Sequence, residues 1–450
     1  MENILLIGAG RSASTLIDYL LKECESNNWN LSIGDADPEL AERKGKGQAR
    51  TFKFDVKDEE QLHNEVAEAD VVISMVPAMF HQLVADACIK EAKHLVTASY
   101  VTPEMNALDE EAKNKGLVFL NECGLDPGID HMSAMRVIDR IRDNNYKLIG
   151  FESFTGGLLE PNPDDDNPWQ YKFTWNPRNV VMAGRGHVQF LQQGKYKYIP
   201  FQRLFRRTEM IHIPGHGYFE GYANRDSLKY MDVYNLKGIR TLFRGTLRRP
   251  GYSKAWNTFV QLGVTCDDYK MENVDKMTHR EFINSFLWYN PHDSVELKIA
   301  HYMNFEMEST EMFKLRWLGI FSDELVGLDE GTPAQILEHI LSKKWTMTDE
   351  DNDQIVMWHK FNYIDDKGVE IQEHSTMVSN GDDPVNTAMS KTVGLPLGIA
   401  TKLIMKGEIT TPGVHIPIQK EIYDPILDEL AEYGFEFIEE KLEPKVGISD

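Results

Sequence analysis

The run Gly8-Ala9-Gly10-Arg11-Ser12-Ala13 joins a short apolar stretch, Asn3–Ile7, to a segment with helical spacing, Ala13–Cys24. A glycine pair in this setting suits a phosphate. Gly8 permits the tight turn, Gly10 lets the backbone approach a pyrophosphate, and Ala13 is small enough for close helix packing. The helix start then offers unpaired N–H groups and a positive dipole to the anion. Arg11 and Ser12 stand in the same loop, and a glycine turn of purely structural purpose is the competing reading.

Asp35 closes the second predicted strand. A carboxylate there accepts hydrogen bonds from the adenosine ribose hydroxyls and repels a 2′-phosphate, so the expected cofactor is NAD. NADP remains the alternative, because Arg11 can accommodate an extra phosphate. Asp37 either adds to the negative charge or caps the helix that Pro38 begins. Asp55-Val56 follows the third strand, within reach of an adenine, and Val76-Pro77 follows the fourth, where backbone groups would border the cofactor. Both pairs read equally well as plain turns.

These residues need a scaffold that brings successive strand ends to one edge. Strand-like runs at Asn3–Ile7, Asn30–Gly34, Ala49–Phe54, Asp70–Val76, His94–Ala98 and Leu117–Asn121 alternate mostly with helical segments such as Pro103–Lys115. That rhythm predicts an α/β fold, a parallel sheet of the Rossmann dinucleotide-binding type, with ligands beyond the carboxyl ends of its strands. After Gly124 the pattern becomes mixed α/β, with strands near Glu152–Gly157 and Glu209–Ile213 and helices near Ser253–Leu262 and His279–Phe286. Thr348–Asp353 is acidic and predicts a loop, since clustered carboxylates repel one another, ahead of a strand at Ile355–Tyr363. Asn386–Met405 and Asp424–Tyr433 read as helices and Phe435–Glu439 as a strand whose destination periodicity does not fix.

Two further segments follow strands on the side where a nicotinamide should emerge: Ser99-Tyr100-Val101 and Asn121-Glu-Cys-Gly-Leu-Asp-Pro-Gly-Ile-Asp-His131. With Gly156-Gly157, Asp166-Asn167-Pro168, Tyr171-Lys-Phe-Thr-Trp175, Asn224-Arg-Asp-Ser227, Arg244-Gly-Thr-Leu-Arg248, Leu318-Gly-Ile-Phe321 and Thr392-Val-Gly-Leu-Pro396, they carry a resemblance that covers nearly the whole chain. The sequence resembles the saccharopine dehydrogenase family, and most closely its glutamate-forming members. The resemblance implies a Rossmann domain over 1–124, an inserted substrate-binding and dimerisation domain over 125–385, and a segment, 386–450, returning to the first domain. It also implies a homodimer and an NAD(P)-dependent oxidation of saccharopine to glutamate and 2-aminoadipate 6-semialdehyde, or the reverse condensation, in lysine metabolism.

Three carboxylates on such a substrate call for cations. By resemblance Arg225, and Thr246-Leu247-Arg248, contact it; each arginine alone also reads as a surface or ion-pair residue. Ala98 and Ser99 map beside the nicotinamide, and Ser99 and Tyr100 to positions that meet substrate, with strand-end packing as the competing role. Asp126 is the candidate acid–base residue, with Tyr100 beside it in the reacting region. Asp126-Pro127 also reads as an N-cap and first helical residue. His131 and Lys172 are weaker candidates, a histidine near a helix start being more often structural and a lysine beside aromatics more often packing its stem under a wet head. Fungal relatives carry an arginine after the second strand and a cysteine where this chain has Thr155, so neither residue's chemistry transfers. The rival readings are a carboxynorspermidine-dehydrogenase-like imine reductase, for which the position of Asp164–Asp166 matters, and a dinucleotide-binding sensor without catalysis.

Composition narrows the rest. The 450 residues, 42% of them hydrophobic, suffice for two or three cores. A net charge of −23 argues against a general nucleic-acid or anionic-membrane surface. Cys24, Cys88, Cys123 and Cys266 are scattered, without metal-ligand or disulfide spacing, so no metal is expected and a reducing cytoplasm fits. The start lacks the basic flank and long apolar run of a signal peptide, and no run reaches the ~18 residues of a membrane span.

Overall fold

In the computed structural model, which describes residues 2–162 and 166–442, the chain divides into two units. Of the described residues, the first takes in 2–148, 364–369 and 377–440, and the second 149–162, 166–363, 370–376 and 441–442.

The first unit is built on β1 (Asn3–Ile7), β2 (Asn30–Asp35), β3 (Arg50–Lys53), β4 (Val71–Ser74), β5 (His94–Thr97) and β6 (Val118–Leu120). The sheet runs from the late strand Gly413–His415 through β6, β5, β4, β1 and β2 to β3, all parallel. Strands covered by helices on both faces read as continuous apolar runs, as the fully buried Val-Val-Ile-Ser of β4 does. Strand order reverses between β1 and β4, and a crevice opens at such a switch point beyond the carboxyl ends.

Each crossover helix has a local cause. Asp37 accepts from the N–H groups of Glu39 and Leu40 and starts Pro38–Gly45, so the cap reading holds for it. Helix Ser14–Asn27 stops at Asn28, which takes the left-handed conformation at φ 58°. The late helix Ala388–Met405 lies against Ser14–Asn27. A Cβ on Gly394 would come within 2.8 Å of the Leu16 nitrogen, and one on Gly398 within 2.5 Å of the Tyr19 ring, so both positions require glycine for this approach.

The second unit centres on a mixed sheet in which Thr208–Ile213, Gly217–Ala223, Thr241–Arg248, Lys147–Leu159 and Asp353–Ile364 lie in that order. A hairpin of His187–Gln192 and Lys195–Pro200 joins Thr241–Arg248 off this path. Trp169, Tyr171, Tyr252, Trp256 and Trp345 interlock in one buried aromatic cluster, with ring centroids 5.0–6.2 Å apart. Thr348–Asn352 forms a loop as expected, but not a solvated one throughout. Asp351 binds Lys172 at 2.6 and 2.8 Å and accepts from the Thr348 N–H, and Asp353 is fully buried in its strand. Attraction to Lys172 outweighs the repulsion among carboxylates. Among the described residues no helix is long and apolar enough to cross a membrane.

Candidate functional site

Gly8 adopts φ +105°, and a Cβ there would stand 2.8 Å from the Met75 carbonyl oxygen, so only glycine fits the turn. Gly10 differs. Its backbone is ordinary (φ −60°), and a Cβ would meet no protein atom within 4 Å. That open space is what close approach of a phosphate to the backbone requires. Arg11, Ser12 and Ala13 form one 3-10 turn leading into helix Ser14–Asn27; the Ala13 N–H donates to the Gly10 carbonyl at 3.0 Å and the Thr15 N–H to Ser390 Oγ at 3.2 Å.

Asp35 is tied into this loop. Its Oδ2 accepts from the Ala9 N–H at 2.6 Å and its Oδ1 from the Asp37 N–H at 2.8 Å, so the carboxylate is held at the end of β2 beside the glycine turn. Lys44, from the following helix, donates to the Gly10 carbonyl at 2.6 Å. Burial lowers its pKa and the nearby Asp35 charge opposes that shift. Lys44 escaped the sequence reading, because its distance of 34 positions from Gly10 leaves no local signal. The glycine loop, the helix start behind it and the placed carboxylate together fit a dinucleotide.

The remaining expected cofactor positions also fall at carboxyl ends of strands. Asp55 is exposed after β3 and turns back on itself, accepting from the Lys57 N–H at 3.0 Å, with Val56 half-buried beside it. Val76 and Pro77 follow β4, half-buried and exposed, and Ala98 and Ser99 follow β5.

Around Ser99 the loops are laced together. The Glu122 N–H donates to the Ser99 carbonyl (3.0 Å), and the Val101 N–H to the Glu122 carboxylate (3.0 Å). Glu122 also meets His131 Nε2 at 2.8 Å, both side chains being buried, so His131 is a structural partner of Glu122. Tyr100 donates to Asp126 at 3.4 Å, which brings the two acid–base candidates together. Asp126 is not an N-cap. The helix begins at Ile129, after Gly128, because the Gly124 N–H to Pro127 carbonyl bond (3.0 Å) and the Ile129 N–H to Gly124 carbonyl bond (2.8 Å) fold Asp126 and Pro127 into a closed loop first. Ser99 Oγ lies 2.6 Å from Nε2 of His81, a residue the sequence did not single out.

In the second unit Arg248 is the outstanding group. It is 5% exposed, with its guanidinium carbon 4.9, 5.3 and 6.0 Å from the ring centroids of Tyr171, Tyr252 and Tyr222. Its Nη1 donates to the Leu247 carbonyl at 2.9 Å, while Nε is buried without a hydrogen-bond partner among the described residues. Burial opposes its charge and the three tyrosines favour it, Tyr252 also through a side-chain hydrogen bond; among the described residues no carboxylate lies within ion-pair distance. Tyr171 Oη is likewise buried and unpartnered, and burial pushes that phenol up to about 12, so it stays a neutral donor. Tyr171 and Tyr222 come from segments too far from Arg248 in sequence to have been paired with it by spacing, whereas Tyr252 follows it by four residues.

The neighbouring expected residues sit on the same ladder. Arg248 pairs with Glu220 and Gly245 with Ala223, three register steps or roughly 10 Å along the strand. Arg225, exposed and at φ +53°, follows just beyond Ala223. Thr246 is half-buried, and the Leu247 side chain is wholly buried, which leaves only its backbone to face a ligand. Lys172 does not keep a wet head, since its ammonium is held by Asp351 with the side chain 13% exposed. Asp164 and Asp165 lie outside the described residues.

Comparison with known proteins gives a consistent picture. Residues 4–120 match the model of the saccharopine dehydrogenase NADP binding domain and residues 124–435 that of the saccharopine dehydrogenase C-terminal domain. The chain is 35% identical over 444 residues to the mitochondrial alpha-aminoadipic semialdehyde synthase of Rattus norvegicus, covering 97% of this chain but 47% of that protein. It thus spans about half the length of such curated relatives. Against the saccharopine dehydrogenase [NADP(+), L-glutamate-forming] of Schizosaccharomyces pombe identity is 32%, covering 98% and 99% of the two chains. The solved saccharopine dehydrogenase (L-Glu forming) of Saccharomyces cerevisiae superposes with a TM-score of 0.89 at 31% identity, over 98% of this chain and all of that one.

Proposed function

This chain belongs to the saccharopine dehydrogenase family, and from that premise we propose that it oxidises saccharopine to L-glutamate and 2-aminoadipate 6-semialdehyde, or runs the reverse condensation. The observation that carries the reading is Arg248, a buried cation with no carboxylate within ion-pair distance among the described residues, whose Nε has no hydrogen-bond partner there and whose guanidinium sits over Tyr171, a phenol likewise without one. Burying a charge is costly unless an anion completes it, and a substrate carboxylate is that anion. Arg225, a short way along the same ladder, serves a second carboxylate, with Thr246 and the Leu247 backbone lining the approach.

A nicotinamide, when bound, accepts the hydride leaving the lysine-side carbon of the secondary amine. The chain's own residues do the rest. The Gly8–Ala13 loop binds the pyrophosphate, Asp35 holds the ribose, and Asp55, Val56, Val76, Pro77, Ala98 and Ser99 border the cofactor. Asp126, with Tyr100 donating to it, takes the amine proton as the carbon–nitrogen double bond forms. Water then adds to that carbon, and the carbon–nitrogen bond breaks with glutamate leaving as the amine. Asp35 favours NAD, although the fungal relatives are named for NADP(+); Lys44 beside Gly10 is the cation that keeps a 2′-phosphate tolerable. A homodimer in the cytoplasm completes the reading, and light scattering checks the mass.

The test is initial-rate reduction of NAD and NADP by purified protein with saccharopine, with the amino-acid products identified. Glutamate with NAD preferred is expected. Glutamate with NADP preferred overturns the cofactor assignment, while lysine formation or no turnover overturns the substrate assignment.

A further inference from the structure

Ser74, His81 and Ser99 come from three different places in the first unit: the last residue of β4, the first residue of helix His81–Glu91, and the turn after β5. Their side chains form one chain of contacts, Ser74 Oγ to His81 Nδ1 at 2.8 Å and His81 Nε2 to Ser99 Oγ at 2.6 Å. Thr97 Oγ1 also lies 3.5 Å from Nδ1. Ser74 and Thr97 are buried, His81 nearly so, and Ser99 alone is half-exposed.

A neutral imidazole has one N–H donor and one bare acceptor, so the neighbours decide which nitrogen carries the proton. Two buried hydroxyls face Nδ1, and for Ser74 the ring is the acceptor at hand among the described residues. Were Nδ1 protonated, the Ser74 hydroxyl proton would be buried without an acceptor, which costs about 1–3 kcal/mol. A bare Nδ1 satisfies it. Burial holds the His81 pKa down to about 4, so the ring is neutral near pH 7 and its remaining proton sits on Nε2. Nε2–H then donates to Ser99 Oγ, and the serine's own proton is left for its exposed side.

We infer that His81 is a positioning residue that fixes Ser99 as a hydrogen-bond donor toward a ligand oxygen, either a substrate carboxylate or the carboxamide oxygen of the nicotinamide. The inference rests on the reading of Ser99 as a site residue. It explains why a histidine is buried against the sheet with both nitrogens engaged by hydroxyls, and it makes the site selective for an acceptor at that point.

The test has an arm independent of turnover. In the intact protein labelled with 15N-histidine, the His81 signals, identified by their loss in His81→Gln, are expected to show a protonated Nε2 and a bare Nδ1; the opposite tautomer overturns the inference. His81→Phe is expected to weaken the affected ligand roughly tenfold, as loss of one oriented hydrogen bond does. His81→Gln, whose amide N–H takes the Nε2 place, restores most of it, and Ser99→Ala on top of His81→Phe adds nothing. A rise in saccharopine KM with NADH affinity unchanged assigns the substrate carboxylate, and the converse assigns the carboxamide. Additive losses, or a Gln variant no better than Phe, overturn the inference. If wild type turns over no saccharopine, the substrate assignment falls, while the tautomer and NADH binding still decide the role of His81.

Discussion

Arg248→Met is the perturbation that separates a substrate-binding cation from a structural one. Methionine keeps most of the side-chain volume, so the aromatic cluster of Tyr171, Tyr252 and Trp345 is not opened into a cavity. The substitution forfeits cation–ring attraction from three tyrosines, about 1–2 kcal/mol each in this desolvated setting and least for Tyr222 at 6.0 Å, and one hydrogen bond to Leu247 worth about 1 kcal/mol. Against that, it relieves the desolvation of a buried charge with no carboxylate in ion-pair distance among the described residues, a penalty of several kcal/mol per ion. The opposing terms nearly cancel, so the melting temperature of the ligand-free protein should move by only a few degrees. Ligand binding does not cancel. A carboxylate left without its buried cation costs about 3–5 kcal/mol, so kcat/KM for saccharopine should fall by roughly 10²- to 10³-fold or more. Thermal melts with and without saccharopine, alongside steady-state rates, read both quantities; the saccharopine-dependent rise in melting temperature should vanish. A ligand-free protein destabilised by more than ~3 kcal/mol with an unchanged KM would refute the reasoning and make Arg248 a cation held for structure.

The two loop glycines should part company. Gly10→Ala, with open space around its new Cβ, should leave thermal stability unchanged yet weaken NADH binding at least about tenfold, whereas Gly8→Ala, strained at φ +105° and against Met75, should lose about 2 kcal/mol or more in urea unfolding. Asp35→Asn removes the charge and keeps one acceptor oxygen of two, so either the Ala9 or the Asp37 N–H loses its partner, and it should shift the NADH-to-NADPH affinity ratio about tenfold toward NADPH in fluorescence titrations, since one unit charge nearby is worth about 1 kcal/mol or more. Lys172 and the Thr348 N–H and hydroxyl, working against burial, hold the Asp351 carboxyl below its ordinary 3.8. That depressed folded value places the added stability above 3.8 and loses it as pH falls through the folded pKa. Urea midpoints of wild type and Asp351→Asn should therefore differ at pH 7 and converge as the pH drops below the ordinary 3.8 and through the folded pKa.

The sheet was legible because its signals are local. Asn3–Ile7 and Val71–Ser74 are buried apolar runs, and the Gly8 turn between strand and helix announces what the backbone must do there. Around Arg248 the sequence supplied the arginine but not its setting, since Tyr171, Tyr222 and Tyr252 converge only through tertiary packing. The same is true of Ser74, His81 and Ser99, which lie 7 and 18 positions apart on separate elements. Asp126-Pro127 looked like a helix start because side-chain type alone cannot reveal the Gly124–Pro127 bond that closes the loop ahead of Ile129. Lys172 looked solvated because its partner, Asp351, sits 179 positions away.

The contact between Gly394 and Leu16 has a consequence for how the chain is made. During synthesis the face of Ser14–Asn27 that this glycine covers emerges early, and its cover is not translated until the ribosome has passed from Leu148 to Ala388, roughly 12–50 s at ordinary elongation rates. Through that interval the nascent first unit carries uncovered Leu16 and Tyr19 and lacks its last parallel strand, Gly413–His415. Ribosome-bound chains should thus hold a long-lived, sticky intermediate that recruits holdase chaperones, and slowing or stalling translation before residue 388 should lower the yield of native protein more than an equal delay after residue 415.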